Sequence, residues 1–307
     1  MNPRAVPFDL KSLVFGRQAG RARMLPYLFL IPSLALIILI QFYPFATGVS
    51  YSLREGSLLK LEDFVGLQNY QKLPGIADFW RALGFSGLFA LTNVVGSYLL
   101  GLGLALLLNL DIPGRKFFRI ALLIPWILPS IVSVISWRWM IADQYGLVNM
   151  GLKLVGMNPI YFLSTENWAS VSVIVVKIWR SYPFMMISCL AALQAIDREL
   201  YEAASIDGAG RWQLFRFITF PHIKNVSIVL WILMTIYSIN DFDTIWLLTM
   251  GGPSYATENL IILAYRYTFG ANKVGMGSTI AVITLLILLV LGTFMLNRQS
   301  KTAFDQE

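Results

Sequence analysis

Six long apolar segments alternate with short polar stretches in this chain of 307 residues, and they limit what it can fold into. The segments lie near residues 25–52, 83–110, 117–140, 168–193, 225–248 and 278–297. A helix needs about 20 apolar residues to cross the hydrocarbon core of a bilayer. Hydrophobic residues make up 57% of the chain and charged residues only 13%, whereas soluble domains hold about 25% charged residues. The pattern predicts an all-α integral membrane protein with six transmembrane helices.

Basic residues cluster at the ends of these segments, which favours anchoring in a membrane over binding of nucleic acid. If residues 1–24 are a cytoplasmic basic tail, the inside regions hold 14 basic residues and the outside loops hold 8. Because cytoplasmic loops carry the excess of Lys and Arg, we expect both termini, including a tail at 298–307, in the cytoplasm. Residues 25–52 are then an uncleaved first transmembrane helix, since the apolar run is too long for a signal peptide.

Residue types that carry catalysis or bind metals are scarce in this sequence. The chain has one cysteine and one histidine, and its sequence contains no Cys/His cluster. It also lacks the G-x-x-x-x-G-K-[ST] loop that holds nucleotide phosphates. We therefore predict a non-catalytic subunit with no catalytic residue, no metal site and no cofactor of its own.

The polar stretch between the fourth and fifth apolar segments, residues 195–224, carries a dense motif. It contains Glu202-Ala203-Ala204 and Asp207-Gly208-Ala209, followed by Phe215, Ile218 and Pro221. Glycine relaxes the steric limits on a tight turn, and the small alanines let a partner approach closely. This block resembles the EAA loop of ABC importer permeases, and we refer to residues 195–224 as the EAA loop.

The resemblance implies a mechanical role for this loop. In that family it forms a coupling helix that sits in a groove on a cytoplasmic ATPase and transmits closure of the ATPase to the membrane. The ATPase-coupling residues would be Glu202, Ala203, Ala204, Asp207, Gly208 and Ala209. ATP and Mg would be used by the partner ATPase, which is present in two copies.

The resemblance also implies an architecture and a location. A type I importer transmembrane domain of five helices would span residues 83–297, after the first helix at 25–52. A second homologous permease subunit would complete the translocation pathway. The complex would lie in the lipid bilayer of the bacterial cytoplasmic (inner) membrane.

Shorter motifs resemble the carbohydrate-uptake branch of the same family, of the maltose or glycerol-phosphate permease type. They are Gly251-Gly252-Pro253 after the fifth segment, Phe64-Val65-Gly66-Leu67 after the first, and Trp179 with Tyr182-Pro183-Phe184 in the fourth. The branch implies a heterodimer of permease subunits. It also implies an extracytoplasmic solute-binding protein, with Gly251, Gly252 and Pro253 as a contact loop for it.

Two of the apolar segments carry polar residues at helical spacing, which we call the polar stripe. Its members are Lys177, Arg180, Ser181, Phe184, Met234, Tyr237, Ser238 and Asp241. A charge at the centre of a membrane costs about 2.5–3.5 kcal/mol on insertion scales, so such residues rarely face lipid. We expect the stripe to line a pathway, and by resemblance it lies where the family contacts sugar.

Two further interpretations of the stripe stay open from the sequence. Lys177 or Arg180 pairs with Asp241 only to stabilise the bundle, or the two cations select an anionic solute. The whole chain also has rival functions. A secondary transporter driven by an ion gradient would use Asp241 and Arg180 but leaves the EAA loop unexplained, and a membrane-embedded enzyme lacks a catalytic motif. An ABC permease for peptides or amino acids is disfavoured by Gly251-Gly252-Pro253.

Overall fold

The computed structural model describes residue 27 and residues 29–57 and 59–304. The predicted tail at 1–24 lies outside these residues, as do residues 305–307 of the predicted tail at 298–307. The chain divides into two units, Met1–Tyr51 and Ser52–Glu307. The described part of the first unit is helical, and its apolar side chains, such as Leu39 and Ile40, are exposed.

The described residues form twelve helices and one small sheet. The first six helices are α1 (Phe29–Ser52), α2 (Gln68–Lys72), α3 (Ala77–Asn109), α4 (Arg115–Ile127), α5 (Ser130–Met140) and α6 (Leu147–Leu154). The last six are α7 (Glu166–Gln194), α8 (Arg198–Ile206), α9 (Arg211–Ile239), α10 (Asp243–Thr249), α11 (Leu260–Tyr265) and α12 (Val274–Phe304). Five of them, α1, α3, α7, α9 and α12, are long and apolar enough to cross a membrane. The prediction of a helical membrane protein is confirmed.

The predicted third span is broken in the structure. Helices α4 and α5 meet at a bend of 92°. Neither is counted as a span by itself, so a sixth span exists only if both helices together cross the membrane once. The cause lies in the sequence, because Pro129 lacks an amide hydrogen and disfavours helical geometry at Leu128, which has ψ of 135°. A continuous helix over 117–140 was therefore the wrong expectation.

The predicted fifth span is also broken, and it begins earlier than expected. Helix α9 starts at Arg211, within the predicted EAA loop, and ends at Ile239. The side chain of Asp241 accepts hydrogen bonds from the Thr244 amide and the Thr244 hydroxyl, both at 2.9 Å. Since the first of these bonds satisfies an amide group at the start of α10, it favours a new helix over continuation of α9. The helix expected over 225–248 is thus two helices.

The core of the second unit is the packing of α3 against α7. A Cβ atom on Gly101 would lie 2.6 Å from the Met185 Cβ and 2.8 Å from the Met186 backbone nitrogen. The absence of that atom lets the two backbones approach, as small residues do at helix interfaces in membranes. Around this contact, Tyr98, Leu102 and buried residues of α9 complete a hydrophobic cluster.

A short antiparallel hairpin follows α1, which the all-α prediction did not include. Strands β1 (Arg54–Gly56) and β2 (Leu61–Phe64) pair with Arg54 opposite Phe64. The Asn69 side-chain amide donates hydrogen bonds to the carbonyls of Ser52 and Arg54, at 3.0 and 2.9 Å. Gly275 of α12 leaves room for the Arg54 carbonyl, where any Cβ would overlap it. The hairpin is therefore fixed to the start of the last helix.

Candidate functional site: a polar cavity and the EAA loop

The EAA loop is a short helix followed by a closed turn. Helix α8 ends in two hydrogen bonds, from the Ala209 amide to the Ala204 carbonyl at 2.9 Å and from the Gly208 amide to the Ser205 carbonyl at 3.1 Å. This pair is the Schellman arrangement, which needs a left-handed residue at the position after the cap. Gly208 occupies that position with a φ of 82°. The predicted role of Gly208 in a tight turn is confirmed.

The same loop presents an exposed face. The side chains of Glu202, Ala203 and Asp207 are exposed, whereas Ala204 and Ala209 are partly buried. Two apolar side chains beside them are unusually exposed, Ile206 at 87% and Trp212 at 67%. Apolar groups that stand free next to a polar turn are typical of a protein-binding surface.

The loop is anchored to the helical bundle on its other side. The Tyr201 hydroxyl and the Thr219 hydroxyl form a hydrogen bond of 2.9 Å, and Thr219 is buried in the first turns of α9. Tyr201 also packs against the cluster between α3 and α7. Helix α8 is therefore attached to α9, which continues into a segment long and apolar enough to cross a membrane.

A polar cavity of about 410 Å³ lies where α9 breaks. Seven of the eight stripe residues line it, joined by four residues that the stripe did not include. The stripe members are Lys177, Arg180, Ser181, Phe184, Met234, Tyr237 and Asp241, and the others are Trp126, Asn240, Phe242 and Asp243. Two predicted helix faces therefore converge on one cavity.

Ion pairing dominates one wall of this cavity. The Lys177 ammonium and the Asp241 carboxylate form a salt bridge, with only 12% and 4% of the side chains exposed. Arg180 donates a hydrogen bond of 3.0 Å to the Thr244 hydroxyl, and Thr244 in turn donates to Asp241. The pairing of Lys177 with Asp241, one of the two pairs considered from the sequence, is present. The other cation considered, Arg180, binds the Thr244 hydroxyl instead of Asp241.

The eighth stripe residue, Ser238, lies away from the cavity. Its side chain is fully buried, donates to the Met234 carbonyl at 2.6 Å and accepts from the Asn93 amide at 2.8 Å. It therefore joins α9 to α3 rather than facing a pathway. Asp241 lies in the cavity although α9 ends two residues before it, so the expected continuous helical face was wrong.

Sequence reasoning missed four cavity residues for two reasons. Asn240, Phe242 and Asp243 flank Asp241 and enter the cavity because the helix breaks there, so a helical periodicity misplaces them. The run Asn240-Asp241-Phe242-Asp243 holds three polar residues near the end of an apolar segment, which was a usable sign of a break. Trp126 comes from α4, and no periodic pattern links it to the other helices.

The loop at Gly251-Gly252-Pro253 is tightly held. Gly251 has a φ of 85°, and a Cβ there would lie 3.2 Å from the Ile262 side chain. The Thr257 hydroxyl donates to the Gly252 carbonyl at 2.8 Å and hydrogen-bonds the Thr249 hydroxyl at 2.7 Å. The loop therefore presents one fixed shape.

A partly buried charge cluster supports the same loop. Arg266 binds Glu258 and Asp78 through hydrogen bonds of 2.7 Å, and its guanidinium lies 4.2 Å from the centre of the Tyr255 ring. Burial raises the pKa of Glu258, and Arg266 opposes that shift. Burial by itself would lower the pKa of Arg266, but hydrogen bonds to the two carboxylates raise it. The cluster ties the loop to the first turn of α3.

Comparison with known proteins identifies the family. Residues 97–302 match the family of binding-protein-dependent transport system inner membrane components. The chain belongs to this family. Its members are permease subunits of ABC importers, which are non-catalytic membrane components, so the chain is a multi-pass inner-membrane permease. The resemblance inferred from the EAA loop is confirmed, and the secondary-transporter alternative has no support.

Alignments with individual relatives cover most of the permease. It is 37% identical to the trehalose/maltose transport system permease protein MalF of Thermococcus litoralis, covering 88% of this chain and 91% of that one. It is 36% identical to the sulfoquinovosyl glycerol permease SmoG of Agrobacterium fabrum, covering 85% of each. It is 32% identical to the diacetylchitobiose permease DasB of Streptomyces coelicolor, covering 94% and 91%.

A solved structure has the same fold as the permease. A bacterial ABC transporter involved in the import of the acidic polysaccharide alginate contains a chain that matches with a TM-score of 0.82 at 22% identity. The match covers 92% of this chain and 98% of the other. The prediction of an ABC importer transmembrane fold is thereby confirmed.

Proposed function

We propose that this permease forms one half of the pathway of an ATP-driven sugar importer and is moved by separate ATPase subunits through its EAA loop. The observation that carries the proposal is the polar cavity at the break between α9 and α10. Sugar substrates are named for three of its relatives, trehalose/maltose, sulfoquinovosyl glycerol and diacetylchitobiose. The cavity supplies aromatic faces and hydrogen-bond partners that suit the sugar rings and hydroxyls of such solutes.

The lining of the cavity suits a saccharide. Trp126, Phe184 and Tyr237 offer aromatic faces, and Tyr237 and Trp126 are 61% and 55% exposed. Aromatic rings combine a large apolar area with rigid shape and pack well against sugar rings. Ser181, Asn240 and other polar groups at the rim supply hydrogen-bond partners for hydroxyls. A second homologous permease would supply the facing wall.

The charges of the cavity favour a neutral solute over an anionic one. Lys177 is neutralised by Asp241, and the lining holds one further cation, Arg180, and one further carboxylate, Asp243, so its formal charges balance. A net anionic solute would have to displace Asp241 from a buried ion pair, which costs several kcal/mol. The solute class we propose is therefore a neutral sugar or oligosaccharide.

We propose that the EAA loop is where the ATPase subunits contact the permease and drive its movement. We assign two copies of an ATP- and Mg-using subunit to its exposed face, where Glu202, Asp207 and Ile206 are accessible. With this loop in the cytoplasm, both termini lie there too, as the bias of basic residues suggests. The fixed loop at Gly251-Gly252-Pro253 would then face the extracytoplasmic solute-binding protein.

The test is purification of the complete complex followed by a carbohydrate screen. Co-purifying subunits are identified, and neutral, acidic and phosphorylated sugars are tested for stimulation of ATPase activity with the binding protein present. We expect stimulation by one neutral sugar class. Stimulation by acidic sugars alone contradicts the solute proposal, and ATP-independent uptake into vesicles contradicts the whole assignment.

Two variants test the coupling role directly. Gly208→Asp or Glu202→Lys should leave membrane insertion intact and abolish ATP-coupled uptake, because both alter the exposed turn. Lys153→Gln is the matched control, since Lys153 is exposed on α6, far along the chain from the loop. Normal uptake in both loop variants would mean that the EAA loop does not couple.

A further inference from the structure

A second polar pocket, of about 510 Å³, is formed partly by the first residues of the EAA loop and shares no lining residue with the cavity described above. It is formed where four helices end or begin: the ends of α3 and α7 and the starts of α4 and α8. The lining residues are Asn109, Leu110, Asp111, Arg115, Leu193, Gln194, Ile196, Arg198 and Tyr201.

The pocket has an excess of positive charge that its own residues do not satisfy. Arg115 and Arg198 line the pocket together with one carboxylate, Asp111, which is 86% exposed and lies 3.6 Å from the Arg115 guanidinium. The Arg115 Nε is buried and has no hydrogen-bond partner within the described part of the chain. This nitrogen is available to an acceptor from outside the chain, as are the Nε atoms of Arg119 and Arg180 elsewhere in the described residues.

The backbone at the pocket contributes no excess of positive charge. Helices α4 and α8 start there and helices α3 and α7 end there. Helix starts carry partial positive charge and helix ends carry partial negative charge, so these contributions offset each other. The site is therefore defined by its two arginines.

We propose that this pocket binds a phosphate group, from either an anionic lipid headgroup or a soluble phosphate ester. Arginine matches the planar, multi-acceptor geometry of phosphate, and basic pockets between helices at the cytoplasmic side of a membrane bind such headgroups. The neighbouring face of α4 is apolar and exposed, with Phe117 at 71% and Ile120 at 66%, as a site that also contacts acyl chains requires. The inference rests on the proposed cytoplasmic side of the EAA loop.

A ligand in this pocket would affect transport because the pocket adjoins the link between α8 and α9. Tyr201 lines the pocket and also links α8 to α9 through Thr219, so an anion between Arg115 and Arg198 would connect the coupling helix to α4. Its removal should weaken the transmission of ATPase movement without abolishing assembly.

The test uses the complete transporter in nanodiscs of phosphatidylcholine alone or of equal parts phosphatidylcholine and phosphatidylglycerol. Retained phosphatidylglycerol is counted by native mass spectrometry, and binding of glycerol 3-phosphate and inorganic phosphate is measured in detergent. Sugar-stimulated ATPase activity is recorded in the same samples. The variants are Arg115→Gln, Arg198→Gln and the matched control Lys116→Gln, an exposed neighbour that does not line the pocket.

We expect each arginine variant to lower phosphatidylglycerol retention about fivefold, the contribution of one basic contact to an anionic headgroup, and Lys116→Gln to leave it unchanged. Binding of glycerol 3-phosphate with the same dependence on the variants, but no lipid retention, would assign the site to a soluble ester. If Arg115→Gln fails to assemble, the exposed Arg198 carries the test.

Three results would overturn the proposal. One is equal loss in Lys116→Gln and Arg115→Gln, which indicates surface charge alone. Another is release of the ATPase subunit by Arg198→Gln, which makes the pocket a subunit contact. The third is an absence of phosphate binding in a wild-type complex whose ATPase responds to sugar; if the ATPase does not respond to any sugar, the proposed function fails instead.

Discussion

The buried salt bridge between Lys177 and Asp241 gives the sharpest test of the cavity. Lys177→Met keeps the length of the side chain and removes its charge, which leaves the Asp241 carboxylate 4% exposed without its cation. Removing one partner of a buried pair costs about 3–5 kcal/mol. Because Thr244 still donates two hydrogen bonds to Asp241, we expect the lower value, about 3 kcal/mol. For a folded body of this size, that is a fall in unfolding temperature of roughly 6–12 °C.

The double variant Lys177→Met with Asp241→Asn separates pairing from packing. Asparagine keeps the oxygen that accepts from the Thr244 amide but carries no charge, so we expect it to recover more than half of the lost stability. Unfolding of the purified complex is followed by tryptophan fluorescence, with Lys153→Met as an exposed control that stays within about 0.5 kcal/mol of wild type. A single variant as stable as the control, or a double variant less stable than the single, would refute the reasoning.

Three further predictions concern the turn, the helix interface and the buried cluster. Gly208→Ala should strain the left-handed turn by about 1 kcal/mol and lower sugar uptake per ATP hydrolysed, while Gly210→Ala, at a φ of −75°, should not; equal effects contradict the turn. Gly101→Leu should abolish recovery of folded protein in size-exclusion chromatography, whereas Gly103→Leu, at a position where an added Cβ meets no described atom within 4 Å, should be tolerated. Arg266→Met should destabilise the protein by about 3 kcal/mol and raise the pKa of Glu258 further above its ordinary value. A carboxyl with a raised pKa stabilises the folded protein at low pH and loses that contribution as the pH rises through its folded pKa. The unfolding temperature of the variant should therefore fall as the pH rises above the ordinary range of a carboxyl, about pH 5. Lys153→Met is the exposed control, and a flat profile would contradict the assignment.

The sequence predicted those parts of the molecule that follow from local chemistry. Apolar length indicated the membrane spans, and the glycine of the EAA loop indicated a turn, because both depend on a few neighbouring residues. The lining of the cavity was predicted for seven of its eleven residues, since helical spacing brings Lys177 and Arg180 to one face of α7. What failed was the continuity of two helices.

Both failures have the same physical origin. Hydropathy averages over many residues, so it does not register a proline or a capping aspartate that ends a helix inside an apolar run. At Pro129 the helix ends because of backbone sterics, and at Asp241 it ends because the side chain satisfies the amide of Thr244. Ser238 failed for a different reason. Its helical position was predicted, but only the three-dimensional packing shows that its side chain binds Asn93 of α3 and does not face the cavity.

The break at Asp241 also explains why this residue serves more than one part of the molecule. Its carboxylate pairs with Lys177 in the cavity and caps α10, while its carbonyl accepts a hydrogen bond of 2.7 Å from the Asn259 amide. Asn259 in turn caps α11 and adjoins Glu258, which is bound to Arg266 under the loop at Gly251-Gly252-Pro253. In a continuous helix, the Asp241 carbonyl would accept a hydrogen bond from an amide of the same helix. It would then not be available to Asn259, and this link between the cavity and the loop would be missing. Because the helix is broken here, hydrogen bonds of Asp241 join the lining of the cavity to the residues beneath the loop.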